Sequence, residues 1–232
     1  MLLNLHRDVR VQRLAIGAEQ APLLVIDQLV ADPERLVRKA ASNHFAPQGA
    51  MFPGVRARAP LAYEQFLATA LKPLLMQAFD LPEGRFVFPM CHYSLVALDA
   101  ARLEFLQRVP HIDSTDGNGL ATVHYLFRGD WGGTGFYRHR GTGFEVIDES
   151  RREHYFSALA EERRGRDAPQ PRYIDGDTPL FEQVAKVDGV FNRMVVYRRN
   201  SLHSGNIDSE RVPPPDPVTG RLSINSFIDV VR

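Results

Sequence analysis

The sequence predicts a mainly β chain, an antiparallel barrel or sandwich with flanking helices packed outside it. Three observations carry that expectation. From Arg85 onward, runs rich in Val, Phe, Tyr and Ile recur at 85–98, 107–112, 120–128, 134–139, 181–187, 193–199 and 221–230, separated by turn residues. Before them, Asp32-Pro33-Glu34 signals one helix and residues 61–79 carry apolar residues at helical spacing. Finally, a chain of 232 residues that is 44% hydrophobic and 24% charged can bury one large core, or form one barrel with added helices. Strands in series after a helical start fit a β core clothed by helices.

In chain order, residues 22–28 read as a first strand. Asp32-Pro33-Glu34 marks a helix start, with Asp32 as cap and Pro33 in the first turn, running to about Asn43. FAPQGAMFPGVRARAP reads as a Pro/Gly-rich loop. Leu61, Phe66, Leu67, Leu71, Leu74, Leu75 and Phe79 then follow at helical spacing, with a bend or restart expected at Pro73. The expected organisation is a single domain over 1–232. Residues 1–84 form a helical N-terminal scaffold, and 85–232 form the β core with an insertion at about 141–180. That insertion contains ESRREHYFSALAEERRGR, a charged amphipathic helix or arm. VPPPDPVTG (212–220) is a stiff loop before the last strand.

Composition excludes several function classes. Lys+Arg and Asp+Glu both total 28, so no charge excess points to nucleic acid or an anionic membrane as partner. Apolar runs such as PLLVIDQLV are broken well before the roughly 18 residues a spanning helix needs, and the first residues lack a signal-peptide pattern. A single cysteine, Cys91, permits no intramolecular disulfide and fits a reducing, cytoplasmic setting. It sits in FVFPMCHYSLV and reads as a buried, inert thiol. Neither a G-x-S-x-G elbow nor a G-x-G-x-x-G or P-loop spacing occurs, so hydrolase and nucleotide-binding readings lack support.

The residues that carry chemistry are His111-Ile112-Asp113 and His203, 92 positions downstream. Two histidines and one carboxylate are the ligand set of the facial triad of non-haem Fe(II) proteins. In extended backbone, residues i and i+2 point to one face, so His111 and Asp113 can converge while Ile112 packs the other way. Eighteen residues past His203 stands Arg221, where Arg221, Ser223 and Asn225 share one strand face. An arginine and a hydroxyl aimed into a barrel can hold a dicarboxylate. Each feature alone has a plainer reading. His203 can be a turn histidine, Arg221 a surface residue, and His6-Arg7-Asp8 repeats H-x-D at the N-terminus as a surface pair. His124 and His139 are reserve ligands with structural roles the better reading. Tyr125, Arg138 and Asn225 are candidate pocket residues, and Asn192-Arg193 reads as a turn.

The order of these pieces is what becomes specific. H-x-D is followed by the strand and turn YLFRGDWGGTGFY, then a late His, then R-x-S. Over about 120 residues, Val109 to Ile228, this resembles the Fe(II)/2-oxoglutarate-dependent oxygenases, and YLFRGDWGGTGFY resembles their prolyl-hydroxylase-like branch. The resemblance implies a double-stranded β-helix of jelly-roll or cupin type. It implies that His111, Asp113 and His203 bind Fe(II) and that Arg221, assisted by Ser223, pairs with the distal carboxylate of 2-oxoglutarate, with Tyr125 nearby. The His203-to-Arg221 interval is longer than usual in that superfamily, which leaves the PPPDP loop to absorb the excess. The implied reaction uses 2-oxoglutarate and O2, with ascorbate helpful in vitro, to hydroxylate a C–H bond of an amino-acid or peptide side chain or of a small molecule. Asp113 argues against halogenation, which in this superfamily goes with a small residue at that place. The alternatives are a cupin-type metal barrel without 2-oxoglutarate turnover, and an oxygenase-derived interaction module. Substrate selection is expected in the 141–180 arm, since insertions at a barrel mouth commonly carry it.

Overall fold

The computed structural model describes residues 2–49 and 51–231. Two antiparallel sheets face each other. The larger has eight strands: β1 (Arg10–Ile16), β2 (Ala21–Asp27), β3 (Ala46–Pro47), β4 (Gly54–Arg58), β5 (Arg85–Val96), β6 (Leu120–Tyr125), β9 (Arg193–Arg198) and β11 (Leu222–Val231). Their order is β1-β2-β9-β6-β11-β5-β4-β3. The smaller sheet has the order β10-β7-β8, from β7 (Thr134–His139), β8 (Phe181–Val187) and β10 (His203–Gly205).

Period-2 alternation gives the large sheet two different faces. One face carries Leu24, Ile26, Tyr93, Leu95, Met194, Val196, Leu222 and Ile224, all buried in one cluster with the helices. Those helices are α1 (Pro33–Ala41), α2 (Leu61–Phe66), a π-helical turn (Leu67–Leu71) and α3 (Lys72–Ala78). Leu36, Leu67, Leu75 and Phe79 are buried there, worth about 1.5–3 kcal/mol apiece relative to exposure. The other face looks at the small sheet across Leu23, Val25, Val123, Phe136, Val187, Val195 and Tyr197. On the far side of the small sheet lies α4 (Glu149–Glu162), which buries Tyr155 and Leu159 against Tyr137 and Phe181. Among the described residues, no helix is long and apolar enough to cross a membrane.

Four expectations are corrected in detail. Residues 1–84 are not purely a helical scaffold. The strand expected at 22–28 forms as β2, and β1, β3 and β4 add three more, because the edge strands β1 and β3 are exposed and the short β4 is polar, so none carries a clear apolar alternation. FAPQGAMFPGVRARAP is accordingly not all loop, since it contains β3 and β4; residue 50 lies outside the described residues. The strand expected at 107–112 is a 3-10 turn (Phe105–Gln107) followed by a single bridge at His111, for Pro110 offers no N–H to a ladder. The helix over 61–79 departs from α geometry one turn before Pro73, where the ring forbids the ordinary bond to the carbonyl of Thr69 and the chain widens to a π turn. The Asp32 cap stands as read, its carboxylate accepting from Arg35 N at 3.2 Å.

Candidate metal centre

His203 opens β10, the edge strand of the small sheet. The 111–113 segment lies alongside it: His111 N donates to His203 O at 2.9 Å, His203 N donates back to His111 O at 3.0 Å, and Asp113 N donates to Arg199 O at 2.8 Å. Extended backbone on both sides then turns His111, Asp113 and His203 toward one point. Their ligand atoms all lie within 4.8 Å of one another. His111 Nε2 is 3.7 Å from Asp113 Oδ1, and His203 Nε2 is 3.5 Å from Asp113 Oδ2. Ligand atoms bound at roughly 2.1 Å to one ion can stand up to about 4.2 Å apart, so both spacings admit a shared ion. The His203 tautomer is set by a neighbour. Its Nδ1 faces the Ser201 carbonyl at 3.0 Å, which can only accept, so Nδ1 carries the proton and the Nε2 lone pair faces Asp113. Desolvation, and then the facing His203, hold the His111 imidazole below its usual pKa. Its side chain keeps 40% exposure toward the cavity. A neutral imidazole is the form that ligates.

The three side chains line a cavity of about 120 Å³ between the sheets, together with Arg56, Tyr197 and Arg221. Arg221 is 5% exposed and faces inward. Its Nε donates to Trp131 O at 3.0 Å and its Nη2 to Gly133 O at 2.7 Å, while its guanidinium lies 5.8 Å from the Tyr125 ring centroid and 5.6 Å from that of Phe127. Those bonds use one edge of the fork and leave Nη1 and the outer edge for an anion. The Gly132-Gly133 turn makes this possible. Gly132 has φ +71°, and a Cβ on it would strike the Asn206 carbonyl, while one on Gly133 would strike the Val187 carbonyl. The long His203-to-Arg221 interval is folded up by Asp216, whose carboxylate accepts from Val218 N and Thr219 N at 3.0 and 2.7 Å.

Other expected site residues stand one step back or elsewhere. Ser223 Oγ donates to Asn225 Oδ1 at 2.7 Å, so Asn225 reaches the cavity and Ser223 orients it. Tyr125 Oη bonds Thr134 Oγ1 at 2.6 Å and backs Arg221 from behind that threonine. Arg138 is not a cavity residue. Glu145 and Glu182 occupy its guanidinium, with Nε–Oε1 and Nη1–Oε2 distances of 2.8 Å each. His124 faces the helices, between Tyr63 Oη and Asn192 Oδ1, and His139 is held by Thr142 and Glu162. His6 and Asp8 pair with each other at the surface. Cys91 is buried with its Sγ at 3.3 Å from Ser226 Oγ, and its thiol is pushed up to about 12 by burial.

Three cavity-lining residues escaped the sequence reading: Arg56, Tyr173 and Tyr197. His92 has the same strand parity as Ser94, an available signal of a polar inner face. Tyr173 comes from the 141–180 arm, lines the metal cavity, and donates to Leu98 O at 2.7 Å. It and Ile207 are shared with a larger neighbouring cavity of about 520 Å³, walled mainly by residues 166–181 and Arg108. The larger cavity contains none of the three candidate ligands, which all line the smaller one.

Fold and site together define a two-sheet protein of jelly-roll type with a His–Asp–His cluster between its sheets. The chain belongs to DUF6445, a family of unknown function whose model matches residues 7–228. No curated protein matches its sequence. Among solved structures it is similar to HygX from Streptomyces hygroscopicus, determined with nickel and 2-oxoglutarate bound. The identity is 12% and the TM-score 0.52, over 90% of this chain and 83% of that one. This likeness shows the fold. Weaker likenesses are to the α-ketoglutarate-dependent epimerase SnoN of nogalamycin biosynthesis (12% identity, TM-score 0.45, 86% of this chain and 70% of that one) and to EctD from S. alaskensis (12%, 0.44, 97% and 85%).

Proposed function

We propose that this chain is one Fe(II)- and 2-oxoglutarate-dependent oxygenase domain, hydroxylating a C–H bond of an amino-acid or peptide side chain or of a small molecule in the cytoplasm. One observation carries the reading: His111, Asp113 and His203 converge in the same cavity into which Arg221 points. HygX, which shares the fold, was solved with 2-oxoglutarate and a divalent metal. The YLFRGDWGGTGFY motif adds the likeness to the prolyl-hydroxylase-like branch.

Fe(II), when bound by the triad, would supply activation of O2 coupled to oxidative decarboxylation of 2-oxoglutarate. The chain's own residues do the rest. Ser201 fixes the His203 ring with Nε2 free to ligate. Trp131 and Gly133 hold Arg221 by one edge, so its outer edge is preset for the distal carboxylate without rearrangement. The Tyr125 and Phe127 rings flank that guanidinium and keep water from it, which strengthens a charge-assisted bond. Tyr197, buried with its ring 4.6 Å from that of His203, closes the apolar side of the cavity. Tyr173 stands where the substrate would enter from the larger cavity. Together these would bring a C–H bond, a carboxylate and a metal into one enclosed space.

The test is spectroscopic. Under nitrogen, Fe(II) and 2-oxoglutarate added together should produce a visible absorption band that neither produces alone, and His111→Ala should abolish it. Metal binding without any response to 2-oxoglutarate would favour the cupin-type barrel and end this reading.

A further inference from the structure

Among the described residues, Arg56 is a cation of the metal cavity that has no hydrogen-bond or ion-pair partner in the protein. It projects from β4, opposite Ser94 of β5, and lines the cavity with His111, Asp113, Arg221 and Asn225. Its Nε is enclosed and has no hydrogen-bond partner among the described residues. Its guanidinium lies 4.1 Å from the Phe52 ring centroid, which supports one face of the cation and leaves its edges open. Neighbouring arginines behave differently. Arg193 pairs with Asp27 at 2.6 Å, Arg58 with Glu64 at 2.5 Å, and Arg199 with Asp229. Asp113 attracts Arg56 through space but forms no ion pair with it. A partly buried guanidinium without partner is costly, and such groups commonly await a ligand.

A second donor faces the same space. Because Ser223 donates to Asn225 Oδ1, the Nδ2 amide of Asn225 keeps its protons for something in the cavity. Arg221 and Arg56 stand on strands separated by β5, so their strand axes are roughly 10 Å apart. Two cations at that spacing suit two anionic groups. If Arg221 serves 2-oxoglutarate, Arg56 serves the other reactant.

We infer that Arg56, with the Asn225 amide, binds a carboxylate of the prime substrate in the metal cavity, so the substrate is an acid presented carboxylate-first toward β4. This rests on the proposed oxygenase function and narrows its substrate class.

The experiment uses the full chain with Fe(II) under nitrogen and two calorimetric titrations. In the first, 2-oxoglutarate is added to the Fe(II) protein, which tests the oxygenase reading alone. In the second, propionate and, separately, propionamide are added with 2-oxoglutarate in excess. Propionate should bind with a millimolar Kd and propionamide should not. Arg56→Gln should weaken propionate at least about tenfold, and Arg56→Lys should restore part of it, since the charge returns without the fork. Propionate that does not bind, binds no better than its amide, or is indifferent to both variants overturns the inference. The acid–amide comparison and Arg56→Lys keep the test decisive should Arg56→Gln not fold. If 2-oxoglutarate fails to bind while propionate still depends on Arg56, the oxygenase reading falls and the carboxylate subsite stands. If 2-oxoglutarate binds and propionate is independent of Arg56, only the subsite falls.

Discussion

The space between the two sheets has an apolar half and a polar half, built from the same face of the same large sheet. Where β2, β9 and β6 meet the small sheet, Leu23, Val25, Val123, Val195 and Phe136 interlock and leave little room. Two or three strands further, on β5, β4 and the start of β11, Arg221, Asn225 and Arg56 line a cavity that remains, and His92 and Ser94 share the inward strand parity. The first half follows the rule that inward side chains are apolar. The second breaks it at a cost in desolvation that only ligands can offset. The metal candidates stand at the border, on the small sheet's β10 edge. Function is therefore to be sought where the alternation of a strand stays regular but its inward residues turn polar.

If that division is real, substitutions in the two halves should separate stability from binding. The largest effect belongs to the apolar half: Phe136→Ala should cost about 3–5 kcal/mol of unfolding free energy in denaturant titrations, while the molecules that remain folded still bind metal. Asp113→Ala should do the reverse. Fe(II) affinity should fall by at least about a hundredfold, the upper end of what loss of an outer-shell partner does, with the far-ultraviolet circular dichroism unchanged. Next comes Arg221→Ala. A charge-assisted bond is worth about 1.5–3 kcal/mol, so 2-oxoglutarate binding should weaken at least about tenfold in a fluorescence or calorimetric titration, and Arg221→Lys should recover only part. Equal losses of stability from all three would erase the distinction between the halves.

The smallest effect concerns the opposite face of β6. His124 is fully buried between Tyr63 and Asn192, and its pKa is pushed down to about 4, first by desolvation. Its folded value lies below its unfolded one near 6.5, so the unfolded chain binds more protons between them. The stability from this site is complete above about pH 6.5 and declines as pH falls toward 4. The denaturant midpoint should drop over that window, and His124→Gln should flatten the drop. His111 shares the direction, so His124→Gln should leave a residual slope.

How much of this was legible depends on how strongly each element is written in apolar pattern. Thr134–His139 and Phe181–Val187 occur as expected to the residue, and β5, β6, β9 and β11 fall within a few residues of expectation, because these strands are rich in Val, Phe, Tyr and Ile and bounded by turn residues. β4 did not show, for Gly54–Arg58 is short and polar and borders a Pro/Gly-rich stretch; Arg56 was missed with it. Spacing put His111 and Asp113 on one face and left His203 to the fold, yet the segment holding the first two is a lone bridge rather than a strand. The exclusion of Arg138 could not be read locally, since Glu145 reaches it from a following loop and Glu182 from the next strand. The 141–180 arm read as a charged insertion, and its helix is anchored by Tyr155 and Leu159. Two buried positions in fourteen are too few for periodicity to reveal.

The most direct measurement of the central claim is conversion of 2-oxoglutarate to succinate by the purified chain with Fe(II), ascorbate and air, followed by mass spectrometry without any prime substrate. The account expects slow succinate formation that requires Fe(II) and disappears in Asp113→Ala. Succinate formed equally by Asp113→Ala, or none formed by a wild-type chain shown to be folded and loaded with Fe(II), would contradict it.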